Sequence, residues 1–227
     1  MNIKHLILSL TILLAPLWAH AQDSVAAHRQ ATQQLKVRDF FISEPGNVFE
    51  LLSQGVRAAM ITMAEQGQKI SADNQHDGTS KIDSLNDTYI SVSCSDVKQV
   101  ELKMLTKGKA DTVIAVVETV KLPTLDSRIS FYDTNWHAIA TGKCMKGGMV
   151  TMADFIKKGT PTDAVAEVKR HISFPLMLMT FGAAEGELRV SHQLQSFLSK
   201  EEYKKISPYL IATVSYRIDG AKLKRIK

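Results

Sequence analysis

An α+β fold, with antiparallel β-sheet and helices packed on one face, follows from three observations. Apolar residues recur at three- and four-residue spacing from Val48 to Met63, the mark of a helix with one buried stripe. From Ile82 onward the period shortens to two, the mark of half-buried strands. The alternating segments are joined by short polar turns, which favour an antiparallel meander over crossover connections. The order helix-then-strands occurs twice, which suggests two similar halves, residues 37–146 and 147–227.

The chain opens on a different kind of segment. Lys4 and His5 precede an apolar stretch from Leu6 to Leu17, and the small-residue triplet Ala19-His20-Ala21 follows. This is the layout of a secretory signal peptide over residues 1–21, cleaved before Gln22. The apolar core is shorter than the ~20 residues a membrane-spanning helix needs. No later stretch is long enough either, so the mature chain is expected to carry no transmembrane segment. A periplasmic or otherwise exported location is the expectation. Residues 22–36 are polar and Gln-rich and read as an N-terminal tether.

In the first half, Val37–Ile42 is apolar and Ser43-Glu44-Pro45-Gly46 is a turn. A helix then covers Val48, Phe49, Leu51, Leu52, Val56, Ala59, Met60 and Met63, with Gly55 as a break point. Residues 71–80 hold no large apolar side chain and read as a loop. In the next strand, Ile90, Val92 and Cys94 face one way and Tyr89, Ser91, Ser93 and Ser95 the other. Val100, Leu102 and Met104 continue the alternation after a turn. Thr112–Leu122 is β-branched and apolar on both faces at Val113–Val117, which predicts a central strand. Pro123 ends it, and Ile129 and Phe131 mark another strand.

In the second half, Met152–Ile156 and Ala164–His171 are short helical segments, and Phe174–Phe181 is an apolar strand. Leu188, Val190 and Leu194 alternate with polar residues. Ser199 and Glu202 form a capping box that starts a helix over Lys200–Ile206. Residues 209–218 and 221–226 read as two strands joined at Asp219-Gly220.

Composition excludes some functions. Hydrophobic residues make up 44% and charged residues 22%, a globular rather than a disordered mixture. A net charge of +5 is too mild for the footprint of a nucleic-acid binder, and export removes nucleic acid from reach. Cys94 and Cys144 are the two cysteines of the chain. In an oxidising compartment they suggest one disulfide, closing a loop of about fifty residues and contributing about 4 kcal/mol in the chain-entropy account. Two buried thiols acting as small hydrophobes are the alternative.

Motifs for chemistry are few. Ser95-Asp96-Val97-Lys98 matches S-x-x-K, but it lies between two alternating segments and reads as a turn rather than as two helical turns that bring Lys to Ser. Asp73–Gly78 resembles the start of a calcium loop, yet its twelfth position is Ser84 instead of a bidentate Glu. His28, His76, His137, His171 and His192 show no metal-ligand spacing. His192 falls on the inward phase of its strand, where a hydrogen-bonded core histidine is expected. No catalytic residue, metal ligand or cofactor is assigned. Tyr132, Asp133, Asn135, Trp136 and His137 form the richest group of recognition side chains, since Tyr and Trp give rigid amphipathic contact area. A turn whose Trp136 caps the core is the favoured account, with Phe131 pointing into the core and Tyr132 away from it. The basic tail Lys222, Lys224, Arg225 and Lys227 suits either an anionic surface or protection of an edge strand.

Several segments resemble an exported bacterial family known as domain of unknown function 3256. They are the leader ending Ala21-Gln22, Leu51-Leu52-Ser53-Gln54 running to Arg57, and Thr119-Val120-Lys121-Leu122-Pro123. Asp126-Ser127-Arg128-Ile129-Ser130-Phe131-Tyr132, Asp133-Thr134-Asn135-Trp136 and Pro208-Tyr209-Leu210 with the final hairpin extend it over nearly the whole mature chain. The resemblance implies export and an antiparallel α+β fold, and it implies no activity. The reading is an exported envelope protein, non-enzymatic, that binds an envelope protein or another macromolecule or serves as an accessory or assembly factor. A periplasmic hydrolase whose site assembles only in three dimensions, and a small-ligand carrier, are the alternatives.

Overall fold

The structure is a computed structural model that describes residues 35–68, 70–107, 111–140, 150–171, 176–219 and 222–226. Residues 1–21, read as a leader, residues 22–34 and Cys144 lie outside the described residues. Lys36–Lys227 forms one compact unit.

Two helices come first. Helix α1 (Val37–Ser43) buries Val37, Phe40 and Phe41, which share one face. Helix α2 (Gln54–Glu65) is capped by Ser53, whose hydroxyl accepts Val56 N–H at 3.3 Å. The helix therefore starts six residues later than its apolar spacing implied. Val48, Phe49 and Leu52 are buried, but they sit in turns. Gly55 does not break α2; it lies in its first turn.

A six-stranded antiparallel meander follows: β1 (Ser71–Asp73), β2 (Thr79–Leu85), β3 (Tyr89–Ser93), β4 (Lys98–Lys107), β5 (Asp111–Val120) and β6 (Asp126–Tyr132), paired in that order. The segment 71–80, read as a loop, contributes β1 and the start of β2. Their backbone pairing of Ser71 with Lys81 and Asp73 with Thr79 needs no large apolar side chains at the sheet edge. Register decides the two faces. Ile90 opposes Leu102, Val92 opposes Val100, and Leu102 opposes Val116. These side chains meet Phe40, Phe49, Leu52 and Met60, so α1 and α2 cover that face. Ala115 and Val117 oppose Phe131 and Ile129 on the other face.

That second face is covered by a second sheet. Helix α3 (Thr162–His171) precedes β7 (Met177–Phe181) and β8 (Glu187–His192). Two short helices follow, α4 (Leu194–Phe197) and α5 (Lys200–Ile206), then β9 (Thr213–Asp219) and β10 (Lys222–Arg225). The sheet order is β10-β9-β8-β7, antiparallel throughout. Met177, Met179, Leu188, Val190, Val214 and Ile218 join Leu105, Ala115, Val117, Ile129 and Phe131 in one core, with Phe155, Val168 and Ile206 from the helical segments. The first sheet is thus a middle layer, which explains why Val113–Val117 is apolar on both faces. Met152–Phe155 is a single 3-10 turn, closed by an Asp154 carboxylate that accepts Thr151 N–H at 2.8 Å.

The joint between the sheets is made by side chains. Strand β7 is an edge strand, so its outward N–H groups lack a strand partner. Met177 N–H donates to Asp126 Oδ1 at 3.2 Å, Met179 N–H to Ser127 Oγ at 3.1 Å, and Phe181 N–H to Glu101 Oε2 at 3.2 Å. Three first-sheet side chains therefore satisfy the edge donors of the second sheet, as buried backbone groups require. Gly186, at φ 65, lets the β7–β8 turn close on β9. A Cβ there would lie 2.9 Å from Ile218 O, which is also the residue whose N–H donates to Gly186 O at 2.7 Å.

Candidate functional site

The aromatic turn after β6 is built around one carboxylate. Asp133 Oδ1 accepts the N–H groups of Asn135 at 2.8 Å and His137 at 2.9 Å, and Oδ2 lies 3.1 Å from His137 Nδ1. These bonds, led by that from His137 N–H, hold the Asp133 carboxyl below its ordinary range. The turn places Trp136 at φ 63, a left-handed conformation rare for a bulky residue. Its ring lies 5.2 Å from that of Tyr132. Tyr132 opposes Ile114 across the strand pair, so it points to the helix-covered face, while Phe131 is buried in the inter-sheet core. Tyr132 and Trp136 are both half-buried against the helix-side core, and Trp136 Nε1 is enclosed without a hydrogen-bond partner. Burial, with the nearby Glu118 second, pushes the Tyr132 phenol up. Asn135 and His137 face solvent. Of the five recognition residues, the structure brings Tyr132 and Trp136 together and spends Asp133 on holding the turn.

Charges on the same face are committed. Lys98 Nζ lies 2.9 Å from Glu50 Oε1 and 3.4 Å from Glu118 Oε1, and it donates to Val48 O at 3.2 Å. Glu118 also takes Arg128 Nη2 at 2.7 Å. Ser95 Oγ instead accepts the N–H groups of Val97 and Lys98 at 3.3 and 3.1 Å. The S-x-x-K segment is a hairpin turn, and its lysine is directed at carboxylates. In the 73–78 loop, Asn74 Oδ1 accepts His76 N–H and Gly78 N–H at 3.0 and 3.1 Å, and its Nδ2 donates to Cys94 O at 3.2 Å. Asn74 thus closes the loop on its own backbone and ties it to the end of β3. Among the described residues, no group of three His, Cys, Asp or Glu is placed to hold a metal.

Three titratable groups with displaced pKa values, Cys94, Glu101 and His192, are buried. Burial pushes the Cys94 thiol up to about 12. Glu101 is 5% exposed and its carboxyl is raised by desolvation, although Tyr89 Oη–H and Phe181 N–H both donate to it. His192 is buried as expected, but its ring nitrogens lack the expected hydrogen bonds. The ring packs edge-on to Phe155 at 5.4 Å and near Tyr203 at 6.4 Å, an apolar shell that lowers its pKa by desolvation. A cleft of about 410 Å³ between Leu105-Thr106, Ala184–Gly186 and Arg217–Asp219 holds none of these groups. Its polar lining is Thr106, Glu185, Arg217 and Asp219.

A feature the sequence reading missed lies at one end of the first sheet. Val97, Val120 and Leu122 are 42%, 49% and 64% exposed. They are neighbours: Val120 opposes Lys98, and Lys121 N–H donates to Val97 O at 2.9 Å. The next loop residue but one, Thr124, meets Ser196 of α4 at 3.2 Å, and the adjoining Phe197 is 52% exposed. Sequence alone carries a faint trace, since Val97 sits in a polar turn and Leu122 follows the end of its strand. Their adjacency depends on hairpin register.

Comparison with known proteins came to three findings. The family model described as "Protein of unknown function (DUF3256)" matches residues 29–223. A solved structure, described as "Structure of a domain of an uncharacterized protein from Porphyromonas gingivalis W83", is similar at a TM-score of 0.72. It has 22% identity, with 84% of this chain and 97% of that chain covered. At that identity the likeness extends to the fold. No curated protein matches the chain.

Proposed function

The chain belongs to the DUF3256 family of proteins of unknown function, and from that premise we propose that it is an exported envelope protein that acts by binding another macromolecule, as an accessory or assembly factor. The observation that carries the reading is the pair of exposed apolar side chains Val120 and Leu122, two residues apart on one chain segment at the end of the first sheet and 49% and 64% exposed. Scattered apolar residues on a surface are ordinary, whereas adjacent ones of this size mark contact surfaces. Glu101 supports the same reading, because its buried carboxylate serves the joint between the sheets. Export is supported by the Lys4–Ala21 segment and its A-x-A ending.

The test is cross-linking in envelope preparations with the native chain and with Leu122→Asp. A partner held by the native chain and lost by a folded Leu122→Asp variant supports the binder. Turnover of ester, peptide or phosphoester substrates by the purified protein, with no partner held, overturns it in favour of a hydrolase. Mass spectrometry of envelope protein should find an N-terminus at Gln22 or its cyclised form; an intact Met1 overturns export with cleavage.

A further inference from the structure

We propose that the 3-10 turn Met152–Phe155 and helix α5 form one cover over the second sheet, and that proton uptake by His192 beneath it opens that cover. The two segments are strapped together. Ile156 bridges Leu210, Lys157 N–H donates to Tyr209 O at 2.9 Å, and Ile211 N–H donates to Phe155 O at 2.7 Å. Lys157 Nζ adds a bond to Pro208 O at 2.6 Å. The strap joins the segments that carry Phe155 and Tyr203, the two rings set against His192 at 5.4 and 6.4 Å. The imidazole is 9% exposed, and both its nitrogens are enclosed without a hydrogen-bond partner. Phe155, Ile206 and Leu210 bring the cover into the apolar core. It belongs to neither sheet, so it can lift without breaking a strand ladder.

A neutral imidazole tolerates that shell. A protonated one brings a charge and two N–H donors into it, and these need acceptors or water. The charged groups around it are committed elsewhere or exposed. On the cover, Asp154 is turned to Thr151 N–H and to Arg225 of β10, and Glu202 is turned to Ser199. Lys158, Lys200, Glu201, Lys204 and Lys205 are exposed. Helix α3, which packs on α5, exposes Asp163, Lys169 and Arg170 and pairs Glu167 with Arg170. On β8 itself, Glu187 and Arg189 pair on the opposite strand phase. Strand β7 and α4 hold no charged residue, and Asp126 of β6 is bonded to Met177 N–H. On β9, Arg217 lies opposite Glu187 at the far end of β8, and the Tyr216 phenol, pushed up to about 12, stays neutral. Desolvation is accordingly the main cause that lowers the His192 pKa. Exposure restores its ordinary value, so the open form holds more protons than the closed one and opening grows as pH falls. Glu101 acts with the opposite sign, because its folded-state pKa is raised.

The experiment is hydrogen exchange read by mass spectrometry on the full chain, from about pH 7.5 to about pH 5, with rates corrected for their intrinsic pH dependence. Peptides over residues 150–158 and 200–211 should lose protection about tenfold on acidification, while those of β3 to β5 keep theirs. His192→Phe fills the same apolar shell without a titrating group, and it should keep the cover closed throughout. Asp154→Asn should still show the loss, which separates His192 from the carboxylate of the cover. A second measurement needs no variant: in NMR titration of the native chain, the loss of protection should follow the His192 ring resonances. Equal protection of the native cover at both ends of the range overturns the proposal. So does a loss that persists in His192→Phe, one abolished by Asp154→Asn, or a His192 ring that titrates while the cover stays protected.

Discussion

Arg57 and Glu44 lie 3.7 Å apart, Nη1 to Oε2, with side chains 2% and 0% exposed. Neither depends on the other alone. Arg57 donates to Leu52 O at 2.6 Å, Ile42 O at 3.2 Å and Glu44 O. Glu44 accepts from the N–H groups of Gly46, Asn47, Val48 and Phe49 at 2.7 to 3.3 Å. Together they satisfy the backbone of the turn between α1 and α2 from its buried side, where both side chains are shielded from water. Burial lowers the Arg57 pKa and the Glu44 charge opposes that shift.

Removing one member leaves a buried charge without its partner. Arg57→Met should cost about 3–5 kcal/mol, and Glu44→Gln a comparable amount because several N–H donors lose an anionic acceptor. The double variant should lose less than the sum of the singles. Urea denaturation of the four proteins checks this, and strict additivity would show that the two residues act independently.

Glu101 makes stability depend on pH. Its folded-state pKa is raised by desolvation, so between the ordinary carboxylate value and the raised value the folded chain holds more protons than the unfolded one. Stability should therefore fall as pH rises through that window. Glu101→Gln keeps one oxygen to accept from both Phe181 N–H and Tyr89 Oη–H, and it should flatten this part of the profile. Urea midpoints measured from acid to neutral pH read the slope; an unchanged slope in the variant would assign it to another group.

Trp136 is half-buried on Tyr132, and its backbone is held at φ 63. Trp136→Ala should lower stability by about 3 kcal/mol, near the lower end for a large aromatic because part of the ring remains in water. Trp136→Gly should recover a fraction of that loss by relieving the left-handed backbone. Thermal melts of both variants test this. Melting like the native chain would return the turn to the list of binding anchors.

Cys94 is 1% exposed and its thiol is pushed up to about 12. In reduced, folded protein at mildly alkaline pH, iodoacetamide should leave Cys94 unmodified, and labelling should appear only above the urea transition. Rapid labelling under native conditions would mean that the end of β3 opens locally. Denatured but unreduced protein tests the Cys94–Cys144 bridge: two alkylated thiols exclude it.

Much of the architecture was legible along the chain. The two-residue alternation in β3 and β4, the double-faced apolar run of β5 and the Ser199–Glu202 cap are local, and each acts within a few residues of itself. The errors also have local causes. Val48 to Leu52 is apolar because it lies over the first sheet, and burial in a turn leaves the same spacing as a helix. Strand β1 was hidden because an edge strand needs backbone partners rather than apolar side chains.

By itself the sequence determined an antiparallel α+β fold and the phase of its strands, because those depend on period, turn chemistry and composition. Tertiary structure alone decided that the first sheet is covered on both faces, that Asp126, Ser127 and Glu101 serve the edge of β7, and that Arg57 reaches Glu44. It also decided that Val97 meets Lys121 at the end of the β4–β5 pair. The physical reason is range. A periodic pattern records which side of its own segment is buried, while a contact between residues tens of positions apart depends on how separate segments pack.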